Sequence, residues 1–148
     1  MQIVVDRDVL TLARLARLLE RACTDLDPPV TLAQYRLLAM IGGGADRASQ
    51  IAGRLALTKP TISATVDTLV ERGLVTRAAD DDDRRALRLQ LTTGGAAALA
   101  VAEGAMRVRL GDVLARVDDP GAVADALAAL NDALDERREE RRAAREGA

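Results

Sequence analysis

Histidine is absent from this 148-residue chain, and so are tryptophan and phenylalanine. The missing imidazole removes the commonest general base and metal ligand. One cysteine, Cys23, excludes an internal disulfide and leaves too few thiols for a zinc cluster. Tyr35 is the one aromatic residue. The interior must therefore be built from Leu, Val, Ile and Ala, and Ala-rich stripes favour helix because alanine loses the least side-chain entropy there. No apolar run reaches the length a bilayer demands. The segment Met1 to Asp8 carries acids where a signal peptide needs an apolar stretch. A cytoplasmic protein with no membrane partner is the expectation. A glycine-rich phosphate loop is missing, as is any nucleophile–base pair, so neither an enzyme, a cofactor nor a metal is expected. Strong positive charge is missing too. The net charge is -2 with 30% charged residues, which does not announce nucleic acid but can hide a local basic face.

What is present is a hydrophobic content of 49%, enough for a core in a chain the size of one ordinary domain. From Asp8 to about Thr24, Val9, Leu10, Leu12, Leu15, Leu18 and Leu19 alternate with Arg14, Arg17 and Arg21, an amphipathic helix. Asp25 to Pro29 breaks it. Thr31 caps a second helix bearing Leu32, Tyr35, Leu38 and Ile41, which Gly42, Gly43 and Gly44 stop. A short third helix runs roughly from Arg47 to Ala56. Thr58 opens a fourth as its N-cap, with Pro60 in the first turn, where a missing N–H costs nothing. Ile62, Val66, Leu69 and Val70 share one face of it, and Gly73 ends it. Two helices joined by so short a connection, at Leu57, form a helix-turn-helix.

The period then changes. Leu74 to Arg77 fits a short strand. Ala86 to Thr92 alternates, with Leu87, Leu89 and Leu91 on one side and Arg88 and Gln90 on the other. Between them Ala79 to Arg85 makes a charged turn, so a hairpin, or wing, follows the helix-turn-helix. A helix from Thr92 or Thr93 to about Val117 carries Leu99, Ala102, Met106, Leu110 and Val113. Asp118, Asp119 and Pro120 start a last one with Val123, Leu127, Leu130 and Leu134 at heptad-like spacing. Beyond Asp135 almost only charged residues remain, a solvated helix that frays. The fold class is mostly α with a small β-wing: a winged helix-turn-helix with N- and C-terminal dimerisation helices. The parts are a dimerisation helix over 1–30, the winged DNA-binding domain over 31–92 and dimerisation helices over 93–148, in one intertwined unit. The terminal helices hold more apolar surface than the thin centre can cover, and a two-fold homodimer buries the excess.

The run Thr58 to Val75, TKPTISATVDTLVERGLV, resembles the recognition helix and first wing strand of the multiple antibiotic resistance regulator (MarR) family. Asp83 to Thr92, DRRALRLQLT, is similar to that family's wing motif, and Thr93-Gly94-Gly95 continues the likeness. The resemblance implies a DNA-binding transcription regulator, a dimeric repressor released by a small-molecule, often aromatic or phenolic, effector. Its 58–72 helix would read the major groove of double-stranded DNA, and its 77–88 wing the minor groove, at a palindromic operator. The implied DNA contacts are Thr58, Lys59, Pro60, Thr61, Ser63, Ala64 and Thr65 on the helix and Arg84 and Arg85 on the wing. Asp83 would orient the wing by pairing with an arginine. Thr and Ser suit bases or phosphates, Thr methyls suit thymine methyls, and arginine suits a narrow minor groove. Many members carry an arginine where this chain has Ala64 or Thr65, so the usual guanine contact is missing here. The residues that would line an effector pocket are unknown.

Other readings stay open. Some members sense peroxides through a cysteine in the first helix, and Cys23 lies near the end of that helix beside Arg21. The same residue fits a small buried thiol, and the tyrosines that surround such sensors are reduced here to Tyr35. A winged-helix protein-interaction module that reads no DNA fits the net negative charge but not the Arg84-Arg85 wing. The acids Asp80 to Asp82 fit a solvated turn, since consecutive acids in a tight turn cannot converge on one ion.

Overall fold

Capping chemistry decides where the helices begin in the computed structural model, which describes residues 6–45, 47–55, 57–79 and 87–146. Helix α1, Asp6–Thr24, opens on Asp6 and Asp8 and closes on Arg21, charges that complement the helix dipole. Helix α2, Leu32–Gly42, starts at a capping box. The Gln34 amide donates to the Thr31 hydroxyl at 3.1 Å, and the Thr31 amide to Gln34 Oε1 at 3.1 Å. Helix α3 is Ala48–Leu55 and α4 is Lys59–Glu71, the latter capped by Thr58 with Pro60 in its first turn. Gly73, at φ 68°, supplies the left-handed turn that other residues rarely adopt and ends α4. Strands β1, Val75–Ala79, and β2, Leu87–Leu91, pair antiparallel with Val75 opposite Leu91 and Ala79 opposite Leu87. Helix α5 is Thr93–Leu114 and α6 is Pro120–Glu146.

The structure adds to the periodicity at three places. The first wing strand begins one residue later and runs to Ala79, because cross-strand pairing extends it past the point where alternation can be read. Arg47 joins Arg88 in an isolated antiparallel bridge just before α3. The polar end of α6 stays helical to Glu146, with Asp135 and Arg138 paired at 3.3 Å on consecutive turns.

The chain divides into two compact units, Met1–Leu110 and Gly111–Ala148. In the first, Leu37, Leu38 and Ile41 of α2, Ile51 of α3, Ile62, Val66 and Leu69 of α4, and Val75 and Leu89 of the hairpin form one core. Each fully buried aliphatic side chain contributes about 1.5–3 kcal/mol. A smaller cluster joins Ala22 and Cys23 of α1 to Ala102 and Met106 of α5. Elsewhere apolar side chains stay exposed: Val9, Leu10 and Leu12 on α1, Val101 and Val108 on α5. On α6, in the second unit, Leu127, Leu130 and Leu134 are exposed at the heptad spacing read from the sequence. Gly104 and Gly111 lie inside α5, where each costs about 1 kcal/mol against alanine.

Candidate nucleic-acid interface

Helix α4 is held at its base and free on its outer side. Ile62, Val66 and Leu69 are buried at spacings of four and three, which turns the opposite face outward. Lys59, Pro60, Thr61, Ser63 and Ala64 are exposed, Thr58 is exposed at the cap, and Thr65 is half-buried at the flank. Sequence reasoning passed over Thr68, which shares the outer face with Thr61 and Ala64. The signal was available, since 61, 64 and 68 repeat the spacing of the core stripe on the other side.

The hydroxyls on this face are partly committed. Thr65 donates to the Thr61 carbonyl at 2.9 Å, and Thr68 to the Ala64 carbonyl at 3.0 Å. Thr58 and Thr61 share a hydrogen bond of 2.8 Å between their hydroxyl oxygens. Thr65 and Thr68 thus offer methyl groups and oxygen lone pairs, while Lys59, the one lysine in the chain, and Ser63 keep donors. Such a surface can accept hydrogen bonds from base amino groups and touch thymine methyls.

The wing root is tied to the same helix. Arg77 of β1 pairs with Asp67 of α4, and the two side chains are 33% and 53% exposed. The pair neutralises a carboxylate that would otherwise oppose phosphate on the outward side of α4. Neither residue stood out in the sequence, because a contact between a helix and the strand after it leaves no period. The expected orienting residue Asp83 and the expected contacts Arg84 and Arg85 fall outside the described residues.

Two further ties fix the hairpin and α4 in place. Arg72, at the end of α4, donates to Gln34 Oε1 at 2.9 Å and to the Pro29 carbonyl at 2.8 Å, so α4 is clamped to the start of α2. Where β2 enters α5, Thr92 donates its amide to the Leu74 carbonyl at 3.1 Å and its hydroxyl to the Gly73 carbonyl at 2.7 Å. The Gly95 amide donates to the Thr92 hydroxyl at 2.9 Å. A Cβ on Gly95 would stand 1.9 Å from the Leu74 oxygen, so only glycine fits this crossing of chains.

Between the start of α3, α4 and the strands lies a cleft of about 670 Å³, with Ser49, Lys59, Ser63, Arg77 and Leu89 in its walls. A second cleft of about 490 Å³ runs along α1 past Ala13, Arg17 and Arg21 to Leu32 of α2. Cys23 lies in neither. Its side chain is fully buried, and burial pushes the thiol pKa up. A sensing thiol needs exposure and thiolate character, and this one has the opposite environment. Tyr35 is half-buried nearby, its pKa raised by burial first, then by the Glu103 carboxylate and Cys23.

Comparison with known proteins adds one family match and three structural likenesses. A family model described as the MarR family matches residues 29–86. The transcriptional repressor CouR, solved bound to a 23-mer DNA duplex, is 30% identical at a TM-score of 0.68, covering 86% of this chain and 92% of that one. A mutant MarR from E. coli complexed with operator DNA is 24% identical at 0.66, covering 81% and 86%. CouR from Rhodococcus jostii RHA1, bound to p-coumaroyl-CoA, is 21% identical at 0.69, covering 85% and 87%. No curated protein matches the chain. Among the described residues no helix is long and apolar enough to cross a membrane.

Proposed function

The chain belongs to the MarR family of winged-helix transcription regulators, and we propose that it acts in the cytoplasm as a dimeric repressor of a palindromic operator. Each copy sets α4 in a major groove, with Thr58, Lys59, Pro60, Thr61, Ser63, Ala64 and Thr65 towards the DNA. Its wing enters the neighbouring minor groove through Arg84 and Arg85, with Asp83 orienting the tip. The observation that carries this reading is the outer face of α4, exposed from Thr58 through Thr61 and Ala64 to Thr68 with the Asp67 carboxylate paired to Arg77, beside a wing root held by that same pair. The DNA-bound CouR and MarR structures support the same use of the fold.

A second copy supplies the cover that Val9, Leu10 and Leu12 and the α6 leucines lack within one chain. Release comes from a small aromatic or phenolic effector, a class supported by the CouR structure holding p-coumaroyl-CoA.

Footprinting on the DNA that flanks the protein's own gene tests the proposal. Protection of a palindrome with half-sites about one helical turn apart is expected, with affinity that falls steeply as salt rises and drops at least tenfold in Arg85→Ala. No protection at any salt concentration would overturn it in favour of a protein-interaction module.

A further inference from the structure

Helix α4 is held in two ways that do different jobs. Ile62, Val66 and Leu69 share the core with Leu37, Leu38 and Ile41 of α2. Burial is non-directional, so it keeps α4 down without fixing its roll or tilt. Hydrogen bonds are directional. Arg72, at the C-terminal end of α4, spreads its two terminal nitrogens over two acceptors, with Nη1 donating to Gln34 Oε1 and Nη2 to the Pro29 carbonyl. Gln34 Oε1 also accepts from the Thr31 amide at the start of α2. One oxygen thus closes the cap of α2 and holds the end of α4. The Pro29 bond is exposed and the Gln34 bond half-buried, so the net stability they add is modest while the direction they impose is not.

The loop on which this fork lands, residues 25–31, is fastened at its other end to α5. The Cys23 carbonyl accepts from the Leu26 amide at 3.4 Å and from the Val30 amide at 3.1 Å, which closes the loop on itself. Pro28 and Pro29 each lock one backbone dihedral within it. Ala22 and Cys23 are buried with Ala102 and Met106 of α5, and Leu26 packs on that cluster. Arg109 of α5 donates to the Asp25 carboxylate at 3.4 Å. Val30 is buried in the main core on the far side. The result is a stiff piece of chain with α5 at one end and α4 at the other.

Resting on the reading above, in which a dimer reads two half-sites with α4, we infer that this loop is a strut that sets the angle of α4 from α5. Arg72 is the positioning residue: it touches no base, and it acts by holding the helix that does. A shift of α5 against α1 reaches Pro29 and Thr31 through the closed loop, and from there the Arg72 fork delivers it to the end of α4. Release of DNA then has a path that leaves the buried stripe of α4 in place. The spacing between the two reading helices of a dimer is the quantity the strut controls, because each α4 takes its stance from the α5 of its own chain.

Binding titrations on two duplexes test the inference: the segment protected in the footprint, and the same segment with one base pair inserted at its centre. Arg72→Lys keeps the charge, and with it the phosphate attraction, but a single ammonium cannot hold both acceptors as the guanidinium fork does. It should keep its helical circular dichroism and lose about tenfold on the native duplex. Its loss on the lengthened duplex should be smaller, so that the preference between the two narrows. Gln34→Glu keeps both the acceptor and the capping box and should bind as the parent does. At the other end of the strut, Asp25→Arg should weaken binding despite its added positive charge, and Asp25→Arg combined with Arg109→Asp should restore it. In the Arg72→Lys chain, Asp25→Arg should weaken binding no further, whereas independent sites would add. Parental affinity in Arg72→Lys, an equal loss on both duplexes, or losses at Asp25 and Arg72 that simply add would overturn the strut and leave the dimeric repressor intact. A parent chain that protects no duplex overturns both.

Discussion

Replacing Gly95 with alanine should destabilise the fold by an amount that can be worked from distances. The added carbon would stand 1.9 Å from the Leu74 oxygen and 2.9 Å from its carbonyl carbon. Close carbon–oxygen contacts stop at about 3.3 Å, so one of the two backbones must yield by roughly 1.4 Å. Both are anchored. The Leu74 carbonyl accepts from the Thr92 amide at 3.1 Å, and the neighbouring Gly73 carbonyl accepts from the Thr92 hydroxyl at 2.7 Å. Losing these two hydrogen bonds costs about 1 kcal/mol each, and overpacking costs a further 1–3 kcal/mol or so. The propensity gain of alanine in the first turn of α5 offsets at most about 1 kcal/mol. The net is about 3 kcal/mol, which in a chain of this size lowers the thermal midpoint by roughly 6–12 °C. Thermal melts followed by far-UV circular dichroism at fixed protein concentration measure it, since the proposed dimer would make the midpoint concentration-dependent. Gly53→Ala in α3 is the control of opposite sign. A Cβ there meets nothing within 4 Å, and the midpoint should rise by about 1–4 °C. A Gly95→Ala protein melting within a degree of the parent would refute the claim that this junction admits only glycine.

The wing-root pair gives a different signature. Because Asp67 and Arg77 are a third to a half exposed, their bond contributes only about 0–1 kcal/mol; Arg77→Ala should barely move the midpoint while weakening duplex binding about tenfold, and undiminished binding in a titration would show that the wing needs no such tie. Cys23 should react with a thiol reagent at pH 8 at least 100-fold more slowly in the folded chain than in urea, and prompt reaction of the folded chain would contradict its burial. Burial holds Cys23 above its ordinary 9.0 and Tyr35 above 10.0, so the fold favours their neutral forms and the unfolded chain releases these protons first. Their contribution to stability is therefore full below about pH 9 and lost as pH rises further, and a urea midpoint higher at pH 10 than at pH 7.5 would contradict that sign. Leu37→Ala, at a side chain with no exposure, should cost about 2–5 kcal/mol in urea unfolding, and a loss below 1 kcal/mol would mean that the core collapses around the gap.

Features carried by one element were legible in the sequence. Thr58 and Pro60 mark the start of α4, the 62–66–69 stripe marks its buried side, and the leucine alternation marks β2, with Leu89 buried as that alternation requires. The capping box of α2 was half read, since Thr31 was identified and its reciprocal partner Gln34 was not, although the Thr-x-x-Gln spacing spells it out. Contacts between elements were not legible. The Arg47–Arg88 bridge, the Asp67–Arg77 pair and the Arg72 clamp on Gln34 and Pro29 join residues ten to forty-three positions apart. No periodicity encodes such pairings, because each rests on two single residues and on the path of the chain between them. The site itself divides in the same way. Helical spacing exposes Thr61 and Ala64 in advance, while the neutralised carboxylate beside them emerges only with the fold.

The hydrogen bonds that Thr65 and Thr68 make to their own helix have a consequence for heredity of the binding site. An arginine fork on a reading helix demands guanine and punishes its loss. A surface of methyls and lone pairs sets softer demands, spread over more positions: a 5-methyl group here, an exocyclic amine there. Operators read in this way can drift at any one base and still be occupied. On the proposed reading, uracil in place of thymine removes a methyl contact without disturbing the hydrogen bonds, so duplexes substituted in this way should bind more weakly.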